Sequence, residues 1–511
     1  MRSSLADPAL KFRRPRAEPP PAPPRFGMAD WGGKALRDAM VFLLWPLALI
    51  ATIKLLFAVT GIKSPPFVLY LFAMVYGVFL LRRMHQNDSE WLLGLFCVYL
   101  PFSAIIKVSI VPGLNATNML VLLGIGALIY RRKQEGLPML VSRPGTRVMG
   151  WWMFLCFVSV ITAMVKLGAT HAFDRFGDIK SFMDQFFVFF VVINLIRDGK
   201  MARRVAVYMM YGTLLVLAMG FEEWLEKRGV NSLDKARLLG PQNQPNSFGA
   251  FLVYAVGPFM GVLLNNLANW RAWPLFIVLL VWLRLLVASF SRGAYLGFAA
   301  GAAALGYARG KVFLACGAAA LIGLVVAVPE VVPDSMQARL GLSAEQDEFT
   351  APQIDTSSAH RLILWNAAIE MTKESPVFGF GFGSFPVLKG FYTESDVHES
   401  DNHNMYLFVA SQMGLPALLA MLMVMFRLGW LGLQLARRSP DWMASAIGMG
   451  ACSTVVGGLV VNMFGSRLGD LSVMAYVWLT LAVVSHLTVE MRADEAAKKA
   501  AEPPKKKRRL P

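Results

Sequence analysis

Charged side chains are scarce in this chain. Only 16% of its 511 residues are Asp, Glu, Lys or Arg, where soluble domains carry about 25%. Acidic residues are the scarcer kind, with 33 Asp and Glu against 50 Lys and Arg, so the net charge is +17. Cysteine is nearly missing. The four copies, Cys97, Cys156, Cys316 and Cys452, all fall in apolar runs, which argues against a disulfide framework or a cysteine metal site and leaves small apolar core residues. A nucleotide-binding unit is also absent. The run Gly379-Phe380-Gly381-Phe382-Gly383 has neither Rossmann nor P-loop spacing and no strand–helix frame. It reads as a tight turn whose phenylalanines dip into the membrane interface.

The composition is otherwise hydrophobic, at 56%. Many windows of about 17–22 residues are almost free of charge, the length that crosses about 30 Å of hydrocarbon. The chain therefore reads as an all-α, polytopic transmembrane bundle of about fourteen spans. They centre near residues 50, 73, 100, 123, 157, 190, 212, 258, 280, 300, 320, 420, 452 and 479. With the N-terminus inside, Arg82-Arg83, Arg131-Arg132-Lys133, Arg197 through Arg204, Arg309 with Lys311 and Arg437-Arg438 all fall in cytoplasmic turns. The expected organisation is a basic, Pro-rich disordered cytoplasmic tail (1–38), spans 1–11 (39–328), a large periplasmic loop with short helices (329–403), spans 12–14 (404–490) and a basic cytoplasmic tail (491–511). Met28 is a second candidate start. The run Lys505-Lys506-Lys507-Arg508-Arg509 suits cytoplasmic retention and anionic lipid better than nucleic acid. The intramembrane charges Lys54 and Arg284 stay ambiguous, since a charge at depth faces a cavity or reaches the surface.

Polar content concentrates on the external side. The long loop stands out among short connections, and loops beyond about 12–15 residues are functional or disordered. With it come the turn 166–180, the segment 222–246 and the turn 289–292. Four of the six histidines, His171, His360, His398 and His403, land there. So do Arg237, Arg292 and Arg361. A guanidinium at a membrane surface commonly snorkels to headgroups; three on one face suit the oxygens of a lipid diphosphate, which they match as charged forks. Arg361 opens an amphipathic stretch in which Leu362, Trp365, Ala368 and Ile369 recur at helical spacing. The cluster from His398 to Asn404 admits three readings. It could hold a metal, cap a helix through Asn402, or present His403 as a general base whose ordinary pKa suits proton transfer near neutrality.

Four segments in order resemble the O-antigen ligase and polymerase superfamily. They are Arg237 to Asn246; Ser291-Arg292-Gly293-Ala294-Tyr295-Leu296-Gly297; Arg361 and Trp365 leading to Pro376 and Gly379-Phe380-Gly381; and His403-Asn404-Met405-Tyr406-Leu407 followed by Gly414-Leu415-Pro416. The resemblance spans about residues 230–425. Ala417 stands where ligases often have a second glycine. The resemblance implies a GT-C-like fold and an inverting, metal-independent glycosyltransferase of the bacterial inner membrane, using a glycan on undecaprenyl diphosphate at the periplasmic leaflet. It implies diphosphate binding by Arg237, Arg292 and Arg361 and a base or orienting role for His403, with His360, Asn246, Asn404 and Trp365 as secondary candidates. No cofactor and no metal are expected. Flippase and chain-length regulator are the expected partners, besides membrane lipid and the lipid-linked oligosaccharide; nucleic acid is not one.

The preferred reading is a polymerase of exopolysaccharide or surface repeat units. A ligase moving finished glycan to lipid A-core or protein uses the same donor and stays open. A transporter or flippase fits less well, because the spans are poor in mid-membrane acidic residues.

Overall fold

A computed structural model of the chain describes residues 89–106, 109–111, 114–230, 233–313, 356–393 and 400–501. The spans expected near residues 50, 73 and 320, the residues Lys54, Cys316 and His398, the tail 1–38 and residues 502–511 lie outside these segments.

All the other expected centres fall within helices or their 3-10 extensions. Helix α1 (Glu90–Tyr99) continues as a 3-10 turn to Phe102, and is followed by α2 (Ala116–Glu135), α3 (Thr146–Leu167), α4 (Phe176–Leu195) and α5 (Gly199–Glu226). Next come α6 (Pro245–Asn265), α7 (Pro274–Ala288) and α8 (Arg292–Arg309). After the long loop's α9 (Thr356–Glu374), the chain closes with α10 (Met405–Met413), α11 (Leu415–Arg438), α12 (Trp442–Val461) and α13 (Leu471–Ala501). The described residues are all-α apart from one short antiparallel pair, Ser109–Val111 with Leu114–Asn115. Among the described residues, seven helices are long and apolar enough to cross a membrane: α3, α5, α6, α7 with its leading turn from Trp270, α11, α12 and α13. At the start of the region 404–490, the span expected near residue 420 is α11, and a separate short helix α10 precedes it, because Gly414 takes φ 86° between the two. Helix α13 runs on to Ala501, exposed from Arg492 onward.

Layering follows from burial. The apolar window of α13 is 94% buried within the protein and those of α6 and α12 are 83% and 78%, against 28% for α3 and α7. The first three helices are therefore the centre and the last two its rim. In lipid no hydrophobic force pulls helices together, so small residues that allow close approach carry the packing. A Cβ on Gly257 would stand 2.5 Å from the Gly450 carbonyl oxygen, and one on Gly297 2.9 Å from that of Gly457. These glycines seat α6 and α8 against α12.

One end of the bundle gathers the basic turns. Arg131 donates to the carbonyls of Asn194 and Leu195 at 2.6 Å each, and Arg203 pairs with Asp441 (2.5 Å) and Glu490 (2.7 Å). Near Arg203, Arg204 pairs with Glu90.

The described part of the long loop folds on α10. Leu364, Ala367, Ala368 and Met371 of α9 form a small core with Phe385, lined also by Leu407. This corrects the face expected for α9: Leu362 and Ile369 are exposed, because the positions of Phe385 and α10 decide which stripe is buried. The Gly-Phe run also differs from expectation. Phe380 and Gly381 donate their N–H groups to the carbonyls of Ser411 (3.0 Å) and Gln412 (2.8 Å), and Phe382 donates to that of Ser159 (3.1 Å). Phe382 is buried against Phe182 and Phe408, not dipped into an interface. Gly381 has φ 97°, and a Cβ there would meet the Ala163 backbone at 2.3 Å. The glycines let this backbone dock onto α3 and α10.

Candidate functional site

The segment before α6 is tied down from α5. The Glu223 carboxylate accepts the N–H groups of Leu239 and Gly240, each at 2.9 Å. It also pairs with Lys227 at 2.7 Å, whose ammonium donates to the Arg237 carbonyl. Arg237 is thereby presented to the turn after α7. Its Nε donates to the Ser289 carbonyl (3.3 Å) and its Nη2 to Asn246 Oδ1 (2.9 Å). Asn246 sits in the first turn of α6, which starts with Pro245 at its first position and Gln244 as N-cap. Arg292 is the first residue of α8. The starts of α6 and α8 touch: a Cβ on Gly249 would stand 2.9 Å from Ala294 Cβ and 3.2 Å from Ser291 Cβ. Arg237, Asn246 and the Arg292 turn, three separate sequence expectations, thus meet in one place.

His403 lies on a neighbouring loop. Asn404 is the N-cap of α10, its Oδ1 accepting from the N–H groups of Tyr406 (3.0 Å) and Leu407 (3.1 Å). The expected cap, Asn402, instead accepts the Asn404 N–H at 3.1 Å, so the helix begins later than its sequence suggests and His403 precedes it in a left-handed turn. The Nδ1 of His403 is 3.7 Å from Asp401 Oδ2. Trp365 Nε1 donates to the Asn402 carbonyl at 2.9 Å, anchoring the loop on α9. Arg361 is one turn before Trp365 on the same face, and His360 neighbours it; both are half-buried.

A third element, the turn 462–470 between α12 and α13, touches the starts of α6, α8 and α10. The Asn462 carbonyl accepts the Met405 N–H at 2.9 Å. Phe464 packs on the start of α8, 3.0 Å from where a Gly293 Cβ would be. Arg467 donates from Nη1 to Gln244 Oε1 and Ser247 Oγ, both 3.2 Å, in the first turn of α6. Helices α6, α8 and α10 therefore begin side by side, and helix N-termini favour anions.

Strain marks the same place. Asn243 (φ 55°), Phe290 (φ 49°) and His403 (φ 53°) are the non-glycine residues with positive φ among the described residues. Each such conformation costs on the order of 1–3 kcal/mol and persists where surroundings over-determine it. One lies before each of the three helix starts. Electrostatics add to this. Burial pushes the Asp401 carboxyl above the usual carboxylate range, while His403, Arg467 and the backbone N–H groups of His403 and Asn402 pull it back. Among the described residues no group of three His, Cys, Asp or Glu side chains gathers as a metal site.

Glu223, Gln244, Asp401 as a partner of His403, and Arg467 are additions that the sequence reading did not single out. Arg467 was legible in principle, because the alternation that puts residue 403 outside also puts residues 462–470 outside. The other three look like ordinary polar loop residues until the chain is folded.

A comparison with curated proteins returns no match. The family model described as O-Antigen ligase matches residues 275–422, a stretch that includes Arg292, Arg361, Trp365, His403 and Asn404 but not Arg237 or Arg467. The matched stretch supports an O-antigen ligase and polymerase superfamily assignment.

Proposed function

We propose that the chain is an inverting, metal-independent glycosyltransferase of a bacterial inner membrane, acting at the periplasmic face on glycans carried by undecaprenyl diphosphate. The observation that carries this reading is the convergence of the Arg237–Asn246 pair, the Arg292 helix start and the His403 loop around the turn 462–470. Arg237 and Arg292, with Arg361 as a third cation, grip the diphosphate. The acceptor hydroxyl gives its proton to His403, held by Asp401, as its oxygen attacks the anomeric carbon. A new C–O glycosidic bond forms on the opposite face while the anomeric C–O bond to the diphosphate breaks, and the guanidinium groups and helix starts take up the departing charge. The single displacement inverts the anomeric centre and needs no cofactor. Asn246 orients Arg237, Asn404 caps α10, Trp365 holds the loop, and His360 lies beside Arg361.

The preferred reaction is polymerisation of repeat units, with a flippase supplying the donor and a chain-length regulator acting beside it. Both tails and the basic end of the bundle then face the cytoplasm, in a topology of about fourteen spans. A second reading, transfer of finished glycan to lipid A-core or protein, is favoured by the description of the matched family, O-Antigen ligase. A deletion strain separates the two. Single repeats left on the lipid carrier mean a polymerase, and long chains left on it mean a ligase. Formation of a new glycosidic bond when purified protein meets labelled lipid-linked glycan would exclude a transporter.

A further inference from the structure

We propose that Arg467 is a positioning residue for the transfer reaction, bracing the turn 462–470 against the first turn of α6 so that His403 stays in register with the diphosphate arginines. The inference rests on the functional reading above and deepens it with the side-chain contacts of Arg467. The side chain is 9% exposed, and its Nη1 bonds two side chains of one helical turn, Gln244 and Ser247. Gln244 is itself the cap of that helix. From the same turn of chain, Asn462 receives the first N–H of α10 through its carbonyl and Phe464 fills the space beside Gly293. Gln185 of α4 pins the far side, donating to the Leu468 carbonyl at 2.7 Å while accepting from Trp478 Nε1 at 2.8 Å. A turn held by four helices at once sets the distances among what those helices carry. A guanidinium suits the task because the two N–H groups of its planar Nη1 reach two acceptors in fixed geometry.

The brace also carries charge. Arg467 forms no ion pair among the described residues, yet its charge favours the ionised Asp401 carboxylate beside His403. The charged and titratable groups around this carboxylate are His403 on its own loop and Arg467 from the turn, with Asp470 and Tyr254 facing Arg467 in their turn. His360 and Arg361 sit on the helix that anchors the loop.

The test uses the full-length protein in nanodiscs, with undecaprenyl diphosphate as binding probe and, as substrate, lipid-linked glycan extracted from cells deleted for this chain. Arg467→Gln is expected to cut transfer about 10- to 100-fold, the scale of a small misplacement of reacting groups, with undecaprenyl diphosphate affinity within about twofold of wild type. Its acid limb should move to higher pH, since Asp401 loses a cation that keeps it ionised. Arg467→Lys, which keeps the charge and loses the fork, should recover part of the rate and leave the acid limb in place. An affinity loss that parallels the rate loss would make Arg467 a ligand contact and overturn the proposal. Failure of both variants to fold, or an unaltered pH profile in Arg467→Gln, would overturn it too. His403→Gln in the same assay separates the two levels: transfer at wild-type rate there sinks the functional reading, whereas normal dependence on His403 with a null result at Arg467 sinks only the brace.

Discussion

Arg203 and Arg467 are equally buried, each 9% exposed, and lie at different ends of the bundle with different company. Arg203 is clasped between the carboxylates of Asp441 and Glu490, so its charge is neutralised on the spot. Arg467 bonds two neutral oxygens, from Gln244 and Ser247. Burying a guanidinium costs several kcal/mol unless it is paired, and the fold meets that cost with acids at one end and dipoles at the other. Neutralised arginine is a structural clasp. Arginine held by dipoles keeps its field, which is what an ionised Asp401 requires.

The largest effect should come from breaking the chemistry at the second end. His403→Ala and Arg292→Ala are each expected to lower product at least 100-fold, the range lost with a general base or a charge-stabilising group, with protein abundance near normal. Surface glycan per cell, normalised to protein by immunoblot, measures this; wild-type glycan in either variant removes that residue from the mechanism. Next comes the scaffold between the loop and the bundle. Gly381→Ala would set a Cβ 2.3 Å from the Ala163 backbone at φ 97°, which we expect to cost roughly 2–4 kcal/mol, as overpacking at a special backbone angle does. A fluorescence-detected melt of the detergent-solubilised protein should fall by several degrees, and an unchanged melt would show that the docked turn is slack.

Arg203→Met sharpens the contrast from the other side. Its carboxylate partners are 29% and 35% exposed, so water screens what is lost, and we expect about 1 kcal/mol of stability with no change in transfer per folded molecule. A loss of transfer in folded Arg203→Met would break the division between clasp and site. For pH the sign follows from Asp401. Burial raises its folded-state pKa, so the ionised partner of His403 is present at higher pH and lost as pH falls through a value above the usual carboxylate range. Activity should therefore fall on its acid limb earlier than an exposed carboxylate would allow, and Asp401→Asn should abolish that limb's dependence while lowering the plateau. The smallest effect belongs to the N-terminus: deleting residues 1–27 should leave glycan levels within about twofold, since none of the residues placed in the site lies there.

The membrane class and most helix positions were legible because an apolar stretch of spanning length has few other fates. Arg237, Asn246 and Arg292 were legible as an order of motifs, and the fold brings them together. Phase and caps were less so. The buried stripe of α9 is set by Phe385 and Leu407 from distant sequence, and Asn402 and Asn404 are equally good caps until the left-handed turn at His403 decides between them. Arg467 was legible by its side of the membrane but not by its partners. Its neighbours in sequence are unremarkable, and its meaning comes from Gln244 and Ser247, more than two hundred residues away.

Undecaprenyl-diphosphate-linked glycan presented to purified wild type, His403→Ala and Arg292→Ala, with binding and bond formation read on the same samples, is the decisive measurement. We expect wild type to bind and transfer, His403→Ala to bind within about threefold and not transfer, and Arg292→Ala to lose at least tenfold in binding, the scale of a lost charge-assisted contact. Transfer by His403→Ala, or full binding by Arg292→Ala, would contradict a site in which guanidinium groups hold the donor and an imidazole primes the acceptor.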